Sequence, residues 1–498
     1  MSREKGETAE DASRRGGSLG EWNKIHPTVA ACGELSNPRC IRAFCRGSCS
    51  RSCLYCVLRR GHMNRDLICE NLSVGENGHL LFAGQDTVEL AAQYGTPLYL
   101  MDEDLIRKRC RTYLAAVHQA FGSTSKVYYA SKAAAFRQMY RIMNEENMYV
   151  DVVSPGEIYT ALAAGFPLER ACFHSNNKTD EDIVYAMDNN IGCFVVDNLE
   201  ELYAVDRHAA ARGRKQPVML RITPGIDPHT YEAIATGKVD SKFGFAIETG
   251  QGEEAARIAL SLPNIILQGF HSHVGSQVFD SDVFIRTADV MLTFVAHIYR
   301  TYGYMAQELD LGGGYGVRYI ASDPELDIAA SISEVGEFMQ GKVVELGIPM
   351  PAVSFEPGRS IVADAGMTLY TAGSIKSIPG YRNYVSVDGG MTDNIRFALY
   401  GADYTVLPAD NMLAPRDMRF SVVGRCCESG DIIQENIPLP AATHRGNIIA
   451  CLTTGAYHYS MASHYNRIPN PAVVMLREGT SYVAVRRETN ADLCRLDV

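Results

Sequence analysis

From about Leu67 onward, short apolar runs alternate with stretches of helical period. The runs fall at Val127–Ala130, Tyr149–Val152, Ala171–His174, Cys193–Val196, Val218–Ile222, Leu267–His271, Glu308–Leu311 and Val353–Phe355. Most are separated by amphipathic stretches, such as Ala133–Glu146, Gly156–Ala164, Asp180–Asn189 and Asn198–Arg212. Eight strands with intervening helices predict a parallel (β/α)8 barrel, although periodicity alone leaves a doubly wound open sheet as a rival. Ahead of the barrel, Leu72 to Phe82 reads as a strand pair around a Gly-Glu-Asn-Gly turn. Thr87 to Tyr94 reads as a helix ended by Gly95 and Pro97. After Ile361 the pattern changes to short strands between Gly, Pro and Asp turns, at Tyr384–Asp388, Phe420–Val423 and Ile448–Leu452. The expected class is therefore α/β plus all-β. Residues 97–360 form the barrel, 361–498 form a C-terminal β-barrel or β-sandwich, and the strands of 63–96 join that β domain.

A length of 498 residues suits two domains. Hydrophobic residues at 46% and charged residues at 21% are the balance of a soluble globular protein. A net charge of −11 argues against general attraction to nucleic acid or anionic membrane. No apolar run is long enough to span a bilayer. The opening MSREKGETAEDASRR has no apolar core of a secretory signal, so a cytoplasmic enzyme is expected.

Residues 1–62 depart from the rest. They carry +5 against −16 for the remainder, and hold the sole tryptophan, Trp22. Cys32, Cys40, Cys45, Cys49, Cys53 and Cys56 crowd into them, whereas the other eight cysteines are scattered and read as reduced thiols. Cys49-x-x-x-Cys53-x-x-Cys56 has the spacing by which radical-SAM enzymes hold three irons of an Fe–S cluster, and such thiolates also suit zinc. The segment reads as a disordered extension or a small metal-binding appendage. A start at Met63 would leave it out altogether.

In a parallel barrel, chemistry sits beyond the C-terminal ends of the strands. Lys132 directly follows the first strand. Most lysines are surface groups, but one aimed into a barrel mouth suits a Schiff base, for which partial desolvation makes the amine neutral and nucleophilic. Asp151 and His174 end the next two strands and take no role from position alone. His271 and His273 share a strand face. No third ligand is evident for a metal, and a flat imidazole lying on a cofactor ring is at least as reasonable. Gly312-Gly313-Gly314 ends the seventh strand, where phosphate commonly binds in barrels. Glu356-Pro357-Gly358-Arg359 ends the eighth. Glu356 there suits a pyridine nitrogen and Arg359 a phosphate or carboxylate, the bland alternative being an internal ion pair. Amine, planar stacker, phosphate cradle and ring-nitrogen partner at successive strand ends are hard to explain as packing.

Tyr129-Ala130-Ser131-Lys132-Ala133, His273-Val274-Gly275-Ser276-Gln277, Gly312-Gly313-Gly314 and Glu356-Pro357-Gly358-Arg359 resemble, in order and spacing, the alanine-racemase-like, fold-type III pyridoxal-phosphate (PLP) decarboxylases. The resemblance covers roughly residues 67 to 490. Further stretches resemble the diaminopimelate decarboxylase family: Thr236-Gly237 with Lys242-Phe243-Gly244; Asp388 to Asp393 running into Ile395-Arg396 and Leu399-Tyr400-Gly401; Cys427-Glu428-Ser429-Gly430-Asp431; and Gly455-Ala456-Tyr457 with Ser460 to Ser463.

The resemblance implies PLP on Lys132, with His273 stacked on its ring and Glu356 at its nitrogen. Ser276, Gly312, Gly313 and Gly314 hold its phosphate, and Gly358, Arg359 and Tyr457 adjoin it. Arg359, Arg396, Tyr400, Glu428 and Tyr457 bind substrate, and Cys427 donates a proton. Cys427 and Glu428 come from the partner subunit, so a homodimer is implied, with no metal. The implied reaction is decarboxylation of meso-2,6-diaminopimelate to L-lysine, the last step of lysine biosynthesis. Ornithine, arginine or carboxynorspermidine decarboxylation, racemisation, and a non-catalytic regulatory homologue are the alternatives. Arg425, Cys426, His458 and His464 depart from the usual family residues and bear on fine specificity.

Overall fold

Eight parallel strands close on themselves in the computed structural model, which describes residues 67–226 and 240–498. In chain order they are Lys126–Ala130, Tyr149–Val152, Ala171–Phe173, Cys193–Val196, Gln216–Thr223, Ile265–His271, Glu308–Asp310 and Ala352–Phe355. The ring closes where Ser354 and Phe355 register with Lys126 and Val127. The open-sheet rival is thereby excluded. The cysteine-rich segment with Cys49, Cys53 and Cys56, and the Thr236-Gly237 pair, lie outside the described residues.

Each strand is short and almost wholly buried, as a sheet covered on both faces requires. Helices Arg137–Glu145, Pro155–Ala163, Asp180–Asp188, Leu199–Ala211, Gln251–Ser261, Ser281–Tyr302 and Ile328–Leu346 follow successive strands. Their starts are chemically marked. The Ser154, Thr179 and Asn198 side chains each accept a backbone N–H of the first turn. The eighth strand is followed only by the four-residue helix Arg359–Val362. A helix ahead of the first strand, Glu103–Phe121, packs beside Ile328–Leu346 instead. Gly336 lets them approach closely, since a Cβ there would stand 2.8 Å from Ala120 Cβ.

The second sheet takes a strand from inside the range expected for the barrel. Leu98–Asp102 pairs antiparallel with Gly366–Leu369 and parallel with Ala472–Leu476. Its side chains alternate between two cores. Tyr99 and Met101 join the large barrel-side cluster, and Leu98 and Leu100 join a cluster with Leu80, Phe82, Leu369 and Val474. A strand apolar on both faces has no alternating pattern to separate it from a barrel strand, so the boundary at residue 97 falls ahead of this element. The early strands Leu72–Val74 and Leu80–Phe82 form a small sheet of their own with Gln85–Asp86. They reach the β domain through that second cluster and the Leu80 N–H bond to Ala409 O, 2.7 Å. Among the described residues no helix is long and apolar enough to cross a membrane.

Leu100 is fully buried at the centre of the second sheet. Leu100→Ala is expected to cost about 2–5 kcal/mol, from lost transfer energy and the cavity left behind. Thermal and denaturant unfolding of the variant check this. An unchanged midpoint would contradict the packing described.

Candidate active site

Beyond the C-terminal ends of the strands lies a cavity of about 560 Å³. Lys132, His273, Ser276, Gly313, Gly314, Glu356, Gly358, Arg359, Arg396, Tyr400 and Tyr457 all line it, with Gly312 beside them. Asp151, His174, Arg221 and His271 line it as well.

Three strand-end loops meet through their backbones. A Cβ on Gly312 would stand 2.6 Å from Ser272 O, one on Gly313 2.1 Å from Glu356 O, and one on Gly314 2.3 Å from Gly275 O. Gly312 and Gly314 also take positive φ, +70° and +117°. Any side chain would force the sixth, seventh and eighth strand ends apart. The result is a concave backbone surface of the kind that anions occupy. Ser276 borders it and accepts hydrogen bonds from Arg359 Nε (3.2 Å) and Nη2 (3.0 Å).

Lys132 lies in the short turn Ser131–Ala133 after the first strand. Gly358 presses against this turn, its missing Cβ space 2.9 Å from Ala130 Cβ. Tyr457 N–H donates to Ala133 O at 2.7 Å, tying the β domain to the same turn. The lysine amine opens onto the cavity. Burial disfavours its charge, but Asp151, Tyr457 and Glu356 outweigh that and raise its pKa. The amine is desolvated as the sequence suggests, but the neighbouring acidic groups favour its charged form rather than a neutral one.

Glu356 is gripped from two sides. His174 Nε2 lies 2.8 Å from its Oε1 and His271 Nε2 3.0 Å from its Oε2. Burial alone would protonate this carboxyl, yet the two histidines hold it well below the ordinary carboxylate range. Asp151 goes the other way, raised by burial to about 6. Asp310 is raised further by burial and by Glu356. The floor thus concentrates its negative charge on Glu356. The His273 ring is kept neutral by burial and by the charges of Lys132 and Arg221. The third donor that a histidine pair lacked in the sequence is present here: His174, His271 and Glu356 place ligand-capable atoms within 4.8 Å of one another. The pair is His174 with His271 rather than His271 with His273. The partnership crosses the barrel, which strand periodicity cannot reveal.

The opposite side is cationic. Arg359 and Arg396 are buried, and both lie over the Tyr457 ring, at 4.8 and 5.1 Å from its centroid. Arg396 also lies 5.0 Å from the Tyr400 ring centroid. Tyr319 and Tyr404, which carry no sequence motif, hold the two arginines through their hydroxyls.

Cys427 and Glu428 are not brought into this cavity. Both are exposed, on a loop held by Asp431, which accepts Met391 N–H at 2.6 Å and Cys426 N–H at 2.7 Å. Of the departures from the family pattern, Arg425 is exposed and His464 pairs at the surface with Glu488. His458 alone is buried, with its ring edge against Tyr404.

An amine, a neutral imidazole, a side-chain-free anion cradle and an ionised carboxylate around one cavity fit pyridoxal phosphate. With the closed barrel they define a PLP-dependent decarboxylase of the fold-type III class. Residues 103–363 match the family model described as the pyridoxal-binding domain of pyridoxal-dependent decarboxylases. The chain is 44% identical to the diaminopimelate decarboxylase of Bacillus subtilis over 85% of its length and 96% of that protein. It is 38% identical to the one of Mycobacterium tuberculosis, over 88% and 99%. Among solved structures, the diaminopimelate decarboxylase from M. jannaschii in co-complex with L-lysine superposes with a TM-score of 0.79 at 31% identity, covering 86% of this chain and 98% of that one. The Helicobacter pylori enzyme complexed with L-lysine gives 0.74 at 30% identity, covering 83% and 99%. The chain belongs to the diaminopimelate decarboxylase family.

His458 supplies a test of these electrostatics. Burial, then the charge of Arg396, pushes its pKa from 6.5 down to about 3, so its Nδ1–H donates to Ala456 O at 2.9 Å from a neutral ring. Between those two pH values only the unfolded chain binds the proton, so the contribution of this residue to stability falls as pH falls through that window. Relative to His458→Gln, the native chain should lose thermal stability from pH 6.5 toward 3. A pH-independent gap between the two melting curves would refute the neutral buried ring.

Proposed function

We propose that this chain decarboxylates meso-2,6-diaminopimelate to L-lysine and CO2, the last step of lysine biosynthesis, with pyridoxal phosphate as cofactor. The observation that carries the substrate class is the pair of buried guanidiniums. Among the described residues neither Arg359 nor Arg396 has a carboxylate partner, and two such charges call for anions from a ligand. One anion is the cofactor phosphate. A second carboxylate on the substrate is the natural other.

In this reading Lys132 is the amine that holds the cofactor. His273 would stack against its ring, and Glu356, kept ionised by His174 and His271, would serve its ring nitrogen. Ser276, Gly312, Gly313, Gly314 and Gly358 would hold its phosphate, with Arg359 adjoining. The bound cofactor supplies the sink for the electron pair of the Cα–carboxylate bond. Arg396, with Arg359, Tyr400 and Tyr457, orients the distal end of the substrate and so decides which carboxylate departs. A proton must then reach the carbon that lost CO2. Cys427 is assigned as its donor and Glu428 as a substrate contact, both in the active site of a second copy. Their exposure, and their absence from the lining of their own chain's cavity, support a homodimer that shares its sites across the interface.

The direct test is CO2 release by the purified, PLP-loaded protein. Release from meso-diaminopimelate, with L-lysine as product and none from ornithine, arginine or L-lysine, is expected. Release from one of those amino acids instead would keep the cofactor chemistry and refute the substrate. Lys132→Ala should abolish turnover, and full activity in that variant would overturn the assignment. Cys427→Ala should lower kcat by about 100-fold or more with little change in KM. A pure KM effect would remove its role as proton donor.

A further inference from the structure

Among the described residues, the two cavity arginines are held by neutral groups only. Arg359 Nη1 donates to Tyr319 OH at 2.7 Å, and its Nε and Nη2 share Ser276 Oγ. Arg396 Nε donates to Tyr404 OH at 3.0 Å. The two tyrosines meet edge to face, with centroids 5.3 Å apart and planes at 86°. On its far side Tyr404 meets the His458 ring in the same way, at 5.2 Å and 84°.

Tyr319 follows the glycine cradle in the barrel, whereas Tyr404 belongs to the segment ahead of Val406–Pro408 in the β domain. Their backbones are tied: Thr405 donates to Tyr319 O from both its N–H (3.2 Å) and its hydroxyl (2.9 Å). Tyr404 N–H is fixed in turn by Gln434 Oε1 at 3.0 Å. Both rings are buried.

A buried arginine is usually oriented by a carboxylate, which also cancels its charge. A phenol accepts the same N–H without cancelling anything. The charge then stays available to whatever anion enters, while the direction of the fork is set in advance. We infer that Tyr319 and Tyr404 are positioning residues that hold Arg359 and Arg396 at a fixed separation and uncompensated, and that Tyr404 thereby sets the preference for a substrate bearing a distal carboxylate. This deepens the function proposed above and rests on Arg396 facing that carboxylate.

The test compares the full-length, PLP-loaded enzyme with Tyr404→Phe, Tyr319→Phe and the double variant. Each change removes one hydroxyl and keeps the ring contacts. Leaving a buried guanidinium N–H without its acceptor is expected to raise KM for meso-diaminopimelate by about 10-fold in Tyr404→Phe. Inhibition by heptanedioate, a dicarboxylate without amines, should weaken in parallel. The kcat should stay within about 3-fold, with little change in melting temperature or in the absorbance of the bound cofactor. The double variant should raise KM more than either single change, because each hydroxyl serves a different arginine. Unchanged KM and unchanged heptanedioate inhibition in Tyr404→Phe would overturn the inference while leaving the proposed reaction intact. So would a fall in kcat and melting temperature that accounts for the whole loss. Absence of CO2 release from meso-diaminopimelate by the unmodified enzyme would overturn both.

Discussion

The close approach of three backbones at one end of the barrel governs the rest of this molecule. Glu356 O, Ser272 O and Gly275 O each occupy space that a Cβ on Gly313, Gly312 or Gly314 would need. Their proximity follows from ring closure: the sixth, seventh and eighth strands are parallel and in register, at His271 with Asp310 and Asp310 with Ser354. Side chains just past those positions must converge. His273, Ser276, Glu356 and Arg359 therefore point at one volume because the loops carrying them cannot lie further apart.

Around that volume the charges are separated by layer. Buried carboxyls at Asp151, Asp310 and Glu356 lie toward the floor, and only Glu356 is strongly stabilised in its ionised form, by two histidines. The arginines lie where the β domain closes over the barrel and are held by phenols and a serine. A barrel alone would leave this side open. Tyr457, Arg396 and Tyr404 all come from the β domain, and the Tyr457 N–H bond to Ala133 O fixes that domain against the turn carrying Lys132. The lysine, the imidazole, the glycine cradle and the carboxylate thus come from the barrel, and Arg396, Tyr404 and Tyr457 come from the β domain.

The barrel strands and much of the cavity are legible in the amino-acid order because they depend on local signals. Apolar runs of strand length mark Tyr149–Val152 and Cys193–Val196, and the residue after such a run in a barrel must face its mouth. Lys132, His273, Gly312 to Gly314 and Glu356 are found that way. The Leu98–Asp102 strand is not, since burial on both faces erases its alternation and its sheet partners lie hundreds of residues away. The same holds for Tyr319 and Tyr404, which are unremarkable aromatic positions until folding brings their hydroxyls to arginines.

By itself, then, the sequence determined the order of strands and helices, the identity of the strand-end chemistry and the family resemblance, because each resides in short contiguous patterns. Tertiary structure decided what depends on distance across the fold. It joined His174 and His271 on Glu356, left Arg359 and Arg396 without a carboxylate partner among the described residues, raised the pKa of Lys132, and kept Cys427 and Glu428 out of the lining of their own chain's cavity. Those outcomes depend on pairwise distance and desolvation, and neither quantity exists until the chain is folded.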